Sequence, residues 1–308
     1  MISVIVPVYN RKDLCLRAVR SVLSQSFKDF ELIVVDDGST EDMSEVRELV
    51  VEAGQLFVSI PHHGVSRARN VGVKHASRRW ISFLDSDDSW KNEKLEKQIN
   101  YLNANPDCKL AQCEELWIRN GKVHNQKERH SKPTGEAFLR SLELCLISPS
   151  SVVLERKLFL DRGGFDERMQ ICEDYDLWLR LTVDTPVGFI DEPLVVKYGG
   201  HIDQLSSSQV AIDRFRVFSM VKLLCQKELT DLQLKETLSM LSKKAYVVLE
   251  GARKRKNDRV VSLMERLIEG AEKQSRLGYG TYPQIKEQFG GSLIGLLELI
   301  SERWSSDR

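Results

Sequence analysis

Three carboxylates, Asp85, Asp87 and Asp88, follow directly on the apolar run at 80–84. That run, Trp-Ile-Ser-Phe-Leu, is bulky and partly β-branched or aromatic, which predicts a buried strand with the acids at its carboxyl end. Like charges this close repel unless something cationic sits between them. An all-oxygen donor set suits a hard divalent ion such as Mg²⁺ or Mn²⁺. A plainer arrangement fits the same residues: an acidic surface turn in which Asp88 or Ser89 caps a helix beginning near Lys91. A calcium loop is excluded. Asp85, Asp87, Ser89 and Glu96 have the spacing of its ligands, but Trp90 stands where such a loop needs glycine, and a strand rather than a helix precedes it.

The elements that must position these acids are legible from periodicity. Strands are predicted at Ile2–Val8, 30–35, 56–60 and 80–84, the first carrying Pro7 at its exit, where a ladder donor is dispensable. Leu14, Ala18, Val22 and Leu23 recur at helical spacing and predict a helix over 12–25. Further helices are expected over 41–53, closed by Gly54, and over 65–76. Strand–helix alternation through residue 88 predicts a parallel sheet with helices on both faces. Ligands of such sheets gather outside the carboxyl ends of the strands. The polar clusters fall there: Tyr9-Asn10 after the first strand, Asp36-Asp37 after the second and Asp85 to Asp88 after the fourth. No G-x-G-x-x-G follows the first strand and no P-loop occurs anywhere, which argues against a dehydrogenase or a P-loop enzyme.

The totals bound the partners. Forty-five basic and forty-five acidic side chains cancel over 308 residues, so no global field recruits nucleic acid or an anionic membrane. The six cysteines include no C-x-x-C pair; reduced, mostly buried thiols of a cytoplasmic protein are expected. Nothing resembling a secretory signal opens the chain, and no apolar run approaches the roughly 20 residues that span a bilayer. The expectation is a soluble protein, at most surface-attached.

Ser3-Val-Ile-Val-Pro-Val-Tyr-Asn10, Val35-Asp-Asp-Gly-Ser-Thr40, Gly64-Val-Ser-Arg-Ala-Arg-Asn-Val-Gly72 and Phe83-Leu-Asp-Ser-Asp-Asp88 resemble successive motifs of the family 2 glycosyltransferases. Gly163-Gly-Phe-Asp-Glu167 with Glu173-Asp-Tyr-Asp-Leu-Trp-Leu-Arg180 resembles the family's later acidic motif, and His201, after Lys197-Tyr-Gly-Gly, its late histidine. The similarity covers about 1–205, in the family's order. It implies an inverting, nucleotide-sugar-dependent enzyme of GT-A fold: a Rossmann-type α/β sheet sandwiched by helices. The implied donor contacts are Pro7, Tyr9 stacking on the base, Asp37 accepting from the base's ring N–H, Arg69, Asp85 and Asp87. A pyrimidine base, hence a UDP-sugar, follows from the role of Asp37. Asp87 and His201 are the implied holders of Mn²⁺ or Mg²⁺. Arg69 on its helix also fits a solvated or structural charge.

The resemblance places the catalytic base on Asp174, with Glu173 orienting the acceptor or the base. Chemistry offers a plainer account as well, because Glu173, Asp174 and Asp176 occupy a first helical turn, where acids suit the helix dipole. One departure from the family stands out: Gly199-Gly200 leaves no arginine just before His201. His62 and His63 precede Gly64 in a loop and are expected to face solvent.

The resemblance and the pattern together divide the chain into a catalytic domain at 1–205 and a helical C-terminal region at 206–308. The first would comprise a nucleotide-sugar half, 1–109, and an acceptor half, 110–205, on mixed strands, with a helix from about Thr134 carrying Phe138, Leu142 and Leu146. In the second, Leu234, Leu238, Leu241, Ala245, Val248 and Ala252 have helix-on-helix spacing, and Val260, Leu263, Leu267 and Ala271 mark another helix. Ile285, Phe289, Leu293, Leu296 and Ile300 predict an amphipathic helix weakened by Gly290-Gly291, suited to covering the domain or a partner subunit. Arg253-Lys-Arg-Lys256 fits a solvated helix terminus or a contact with lipid headgroups. The function expected is transfer of a sugar from a UDP-sugar to a glycan or lipid-linked acceptor in surface polysaccharide synthesis. A catalytically silent module is disfavoured by the intact set Asp37, Asp85, Asp87 and Asp174. A nucleotidyltransferase is disfavoured because Pro-Val-Tyr-Asn-Arg-Lys stands where a glycine-rich loop would be.

Overall fold

The computed structural model describes residues 1–124, 127–199 and 212–301. The strands among them are β1 (Ile2–Val8), β2 (Phe30–Asp36), β3 (Leu56–Ser59), β4 (Trp80–Phe83), β5 (Ser89–Trp90), β6 (Leu110–Arg119), β7 (Lys122–Val123), β8 (Val152–Glu155) and β9 (Gly188–Gly199). The first helices are α1 (Lys12–Leu23), α2 (Ser44–Glu52), α3 (Val65–His75), α4 (Lys94–Ala104), α5 (Phe138–Glu143), α6 (Arg156–Asp161) and α7 (Glu173–Thr182). The rest are α8 (Asp213–Gln226), α9 (Asp231–Lys254), α10 (Asp258–Leu277), α11 (Tyr282–Gly290) and α12 (Ser292–Ser301). Contacts divide the chain into two compact units: Met1–Ala137 with Leu146–Glu167 and Asp184–Gln204, and Phe138–Cys145 with Arg168–Val183 and Leu205–Arg308. A single cut at 205, drawn from the sequence, does not follow these contacts, because α5 and α7 pack with the C-terminal helices.

The first unit is built on one mixed sheet, ordered β3-β2-β1-β4-β8-β6-β9-β5, with β7 paired to β6. β3, β2, β1 and β4 are mutually parallel, as alternation with helices requires. β8 runs antiparallel to both β4 and β6, and β9 parallel to β6 through a bulge at Cys113–Glu115. Strand period explains the layers. Ile2, Val4, Val6 and Val8 share a core with α1 and α2, through Cys15, Val19, Val22, Val46 and Val50. Ile5 lies on the other face against α3 at Gly72, where a Cβ would stand 2.3 Å from the Ile5 Cγ2. Pro7 is buried in β1 opposite Val35. The register to β4 ends at Ile5, so Pro7 has β2 as its ladder neighbour.

The helix expected near Lys91 starts at Lys94 instead, and neither Asp88 nor Ser89 caps it. Ser89–Trp90 pairs with Val195 and Val196 as a short strand, which places Asp88 in the interior. α4 buries Lys94 completely. Its Nζ donates to the Ser82 Oγ at 2.8 Å and lies 3.6 Å from the centre of the Trp90 ring. Desolvation pulls this ammonium down to about 7 from its ordinary value of 10.5.

The second unit is helical among its described residues. α8, which no periodic signal announced, is buried on nearly every side: Phe215, Phe218, Met220, Val221, Leu223 and Leu224 all belong to one core with α9, α10 and α12. A helix apolar all round has no single stripe to detect and must sit at the centre of its unit. The stripes foreseen on α9 and α10 are buried as spaced. The last stripe is two helices, α11 and α12, broken at Gly291, with Ile285, Phe289, Leu296 and Ile300 all inward. α5 stops at Glu143, short of Leu146, and is tied to α7 by the Tyr175 hydroxyl, which donates to the Leu142 carbonyl at 2.7 Å. On α7, Leu177 and Leu181 are buried as spaced. Asp176 is buried too, its Oδ2 2.7 Å from the Arg180 Nη2 and 2.9 Å from the Lys222 Nζ.

Two measurements follow. Asp176→Ala removes the buried carboxylate that Arg180 and Lys222 share and should cost about 3–5 kcal/mol in urea unfolding; a loss under about 1 kcal/mol would contradict this account of the triad. Lys94 is held below its unfolded pKa, so the cost of burying it is full below pH 7 and vanishes as pH rises toward 10.5. Lys94→Met should therefore raise stability most below pH 7, with the gain shrinking steadily above it. A gain independent of pH over that window would rule the desolvated ammonium out.

Candidate active site

The loops leaving β1 and β2 are sewn together where both strands end. Asn10 and Arg11 adopt left-handed backbone, φ 55° and 67°, which turns the chain sharply out of the strand and into α1. The Asn10 Oδ1 accepts from the Thr40 and Glu41 amides at 2.9 and 3.1 Å, and the Asn10 amide donates to the Ser39 Oγ at 2.7 Å. Asp37, 2% exposed, organises the next loop: its Oδ1 accepts from the His63 amide at 3.0 Å and its Oδ2 from the Gly64 amide at 2.8 Å. The His62 Nδ1 lies 2.8 Å from the same Oδ2 and 3.0 Å from the Asp37 carbonyl. These contacts set the His62 ring flat on Tyr9, with centroids 3.9 Å apart and planes 22° apart. His62 faces solvent as expected, half exposed, and it also joins Tyr9 and Asp37 into one aromatic and carboxylate platform.

The acids after β4 are matched, one by one, by bases from three other elements. Arg69 of α3 is 4% exposed, and its Nη2 donates to the Asp85 Oδ1 at 2.6 Å. The solvated-charge account of Arg69 is thereby excluded. The Arg11 Nη1 donates to the Asp87 Oδ2 at 3.2 Å, while the Arg17 Nη2 donates to the Asp87 carbonyl at 2.7 Å. Lys197 of β9 places its Nζ 2.9 Å from the Asp88 Oδ2 and 3.9 Å from the Asp85 Oδ2. Ser150 bridges the two acids: its Oγ donates to the Asp88 Oδ2 at 2.6 Å and accepts from the Asp85 amide at 3.1 Å.

Burial and charge divide the labour among them. Burial works to raise the Asp85 carboxyl, but Arg69 and Lys197 outweigh it and hold the group below its ordinary value. Asp88 goes the other way: burial, backed by its neighbours Asp85 and Asp87, pushes it up to about 7 against the pull of Lys197. Lys197 is depressed by burial, yet Asp88, Glu115 and Asp85 together lift it well above the usual lysine range. The repulsion that pointed to a metal is thus met in large part by the chain's own cations. Among the described residues no three His, Cys, Asp or Glu side chains form a metal-holding group. Asp85 and Asp87 keep about a quarter and a fifth of their side chains exposed, which leaves oxygen donors for an ion completed by phosphate and water.

Glu173 and Asp174 lie in the second unit, in the first turn of α7, after Cys172 in left-handed backbone at φ 60°. Glu173 is buried. Asp174 is half-buried, its Oδ2 accepting from the Cys145 Sγ at 3.3 Å and its Oδ1 from the Tyr175 amide at 2.7 Å. His201 lies outside the described residues. Sequence reasoning passed over Arg11, Arg17, His62, Ser150 and Lys197. Arg11 stood in plain view beside the Tyr9-Asn10 motif, whereas Arg17, Ser150 and Lys197 carry no local mark of their role.

Residues 3–161, half of the chain, match the family described as Glycosyl transferase family 2. The chain belongs to that family. It is 31% identical, over 70% of its own length and 81% of the relative's, to the UDP-Glc:alpha-D-GlcNAc-diphosphoundecaprenol beta-1,3-glucosyltransferase WfgD of Escherichia coli. It is 32% identical over 63% of its length to an uncharacterized glycosyltransferase of Rickettsia conorii, of which it spans only 32%. Among solved structures, S. aureus TarS 1-349 in complex with UDP has a TM-score of 0.70 at 17% identity, over 97% of this chain and 90% of that one. The mannosyltransferase PcManGT from Pyrobaculum calidifontis, in complex with GDP-Man and Mn²⁺, has a TM-score of 0.56 at 17% identity, over 97% and 86%. These likenesses are of fold, and the fold is GT-A-like with a helical C-terminal region.

Gly38 lets the platform close. Its φ is +74°, and an added Cβ would stand 2.6 Å from the His62 amide nitrogen. Gly38→Ala should cost about 1–3 kcal/mol in chemical unfolding, through both backbone strain and displacement of the 61–64 loop. Stability equal to wild type would show that the loop does not depend on this approach.

Proposed function

We propose that the chain transfers a sugar from a UDP-sugar to a hydroxyl of a glycan or lipid-linked acceptor in surface polysaccharide biosynthesis, inverting the anomeric centre. The observation that carries this reading is the continuity of the strand-end platform: Tyr9, His62 and Asp37 join through Asn10 and Arg11 to Asp87 and its neighbours. An aromatic face beside a carboxylate suits a base with a ring N–H, as uracil has. The activity for which WfgD is named, with a UDP-Glc donor and a diphosphoundecaprenol-linked acceptor, supports the same donor class and a lipid-linked acceptor. UDP and UDP-GlcNAc complexes of TarS support it further.

In this reading Tyr9 and Asp37 hold the base, Pro7 shapes the floor of its site, and Arg69 and Asp85 bind the ribose and phosphate region. Asp87, with His201, would hold Mn²⁺ or Mg²⁺, which when bound neutralises the charge that builds on the departing diphosphate. Asp174 takes the proton from the acceptor hydroxyl onto a carboxylate oxygen as that hydroxyl attacks the anomeric carbon, and Glu173 orients it. A single displacement from the opposite face inverts the centre. Among the described residues no helix is long and apolar enough to cross a membrane. A lipid-linked acceptor would be met at the cytoplasmic face of the membrane, with the basic end of α9 or the C-terminal helices offering a peripheral contact or a contact between copies.

The test is UDP release from a panel of UDP-sugars with Mn²⁺ and a lipid-diphosphate sugar acceptor. Asp174→Asn should retain UDP binding while transfer falls by about a hundredfold or more. Asp87→Ala should instead lose the part of UDP affinity that depends on the cation. Full transfer by Asp174→Asn, or metal-dependent UDP affinity in Asp87→Ala equal to wild type, would overturn the corresponding role.

A further inference from the structure

We propose that Arg11 is a resident counter-ion of the donor site: it neutralises Asp87 in the empty enzyme and exchanges that carboxylate for the nucleotide's phosphates when a divalent cation takes Asp87. The inference rests on the donor reading above and extends it to a residue that reading does not use.

Of the three acids, Asp87 has the partner most easily exchanged. Arg69 meets Asp85 at 2.6 Å and Lys197 meets Asp88 at 2.9 Å, and both bases are well buried. Arg11 meets Asp87 at 3.2 Å, with about a fifth of each side chain open to water. An ion pair of that length and exposure is weak and yields to a competing charge. Meanwhile the Arg17 guanidinium, stacked 3.7 Å from the centre of the Tyr198 ring, fixes the Asp87 main-chain carbonyl at 2.7 Å. The carboxylate can change partner while its backbone stays in place.

Arg11 is itself placed against local preference. It occupies a left-handed backbone, φ 67° and ψ 43°, immediately before the first turn of α1. A cation at that end of a helix meets the positive pole of the dipole, which disfavours it unless an anion stands opposite. Asp87 is that anion now. A diphosphate would serve better, because it is doubly charged, suits the planar fork of a guanidinium and meets the helix pole with the favoured sign. The strained backbone also ties Arg11 to the base platform, since Tyr9 and Asn10 directly precede it and the Asn10 side chain anchors the 40–41 segment.

The measurement separates the two halves of the exchange. Free Mn²⁺, followed by its electron paramagnetic resonance signal, gives cation affinity without nucleotide. Calorimetry with UDP at saturating Mn²⁺ gives nucleotide affinity. Arg11→Ala should bind Mn²⁺ alone roughly two- to five-fold more tightly, the range expected when a long, partly exposed ion pair is removed. The same variant should bind UDP about tenfold more weakly, the loss expected of one charge-assisted hydrogen bond. Arg11→Gln, which keeps most of the stem, guards against loss of fold and should behave as Arg11→Ala, and Arg11→Lys should recover part of the UDP affinity. Unchanged or weaker Mn²⁺ binding by both neutral variants, or unchanged UDP binding, overturns the exchange while leaving the donor reading standing. A wild-type chain that binds no UDP overturns the donor reading and the exchange with it.

Discussion

The arrangement of this chain turns on the pairing of three aspartates after one strand with bases drawn from α3, β9 and the start of α1. Placed together in a low-dielectric corner, the carboxylates of Asp85, Asp87 and Asp88 repel one another and would force the turn open. Arg69, Arg11 and Lys197 prevent this at 2.6, 3.2 and 2.9 Å. A neutral overall charge sheet of 45 basic and 45 acidic groups is thus locally resolved into matched pairs. The cost of taking those groups out of water is recovered only because each acid has its own partner, with Ser150 adding a hydrogen bond to Asp88.

Pairing of this kind leaves the candidate site assembled before anything binds. The bases are held by acids, so they neither repel one another nor collapse onto the wrong loop, and the acids keep oxygen positions open at the rim. Tyr9, His62 and Asp37 extend the same logic to the aromatic platform, where a carboxylate fixes two loop amides and an imidazole at once. A ligand entering such a site replaces fixed partners rather than ordering mobile ones, which lowers the entropic cost of binding. The second unit shows the same economy in a different setting: Asp176 is locked between Arg180 and Lys222 inside the helical core, next to the turn that carries Glu173 and Asp174.

Much of the first unit was legible because its signals are local. Apolar runs and turn residues placed β1 to β4 within a residue or two, and alternation with helices fixed their parallel direction. The site was legible in part for the same reason, since Tyr9, Asp37, Asp85 and Asp87 all sit at strand exits. The failures share a cause. Asp88 and Ser89 have the chemistry of helix caps, and only pairing of Ser89 with Val196 of β9 turns them inward. His62 has no local mark, because its stack on Tyr9 depends on two amides folding onto Asp37. α8 escaped because burial on all sides erases the stripe that periodicity detects.

The sequence by itself determined the order of elements, the parallel half of the sheet, the acids at its edge and the family, since each rests on neighbours in the chain or on motifs in a fixed order. The tertiary structure alone decided which base answers which acid and that His62 belongs to the platform. It also decided that α5 and α7 group with the C-terminal helices rather than with the sheet that flanks them in sequence. Those outcomes join residues as far apart as Asp88 and Lys197, or Tyr175 and Leu142, and an electrostatic or packing contact across such a gap leaves no period in the chain to read.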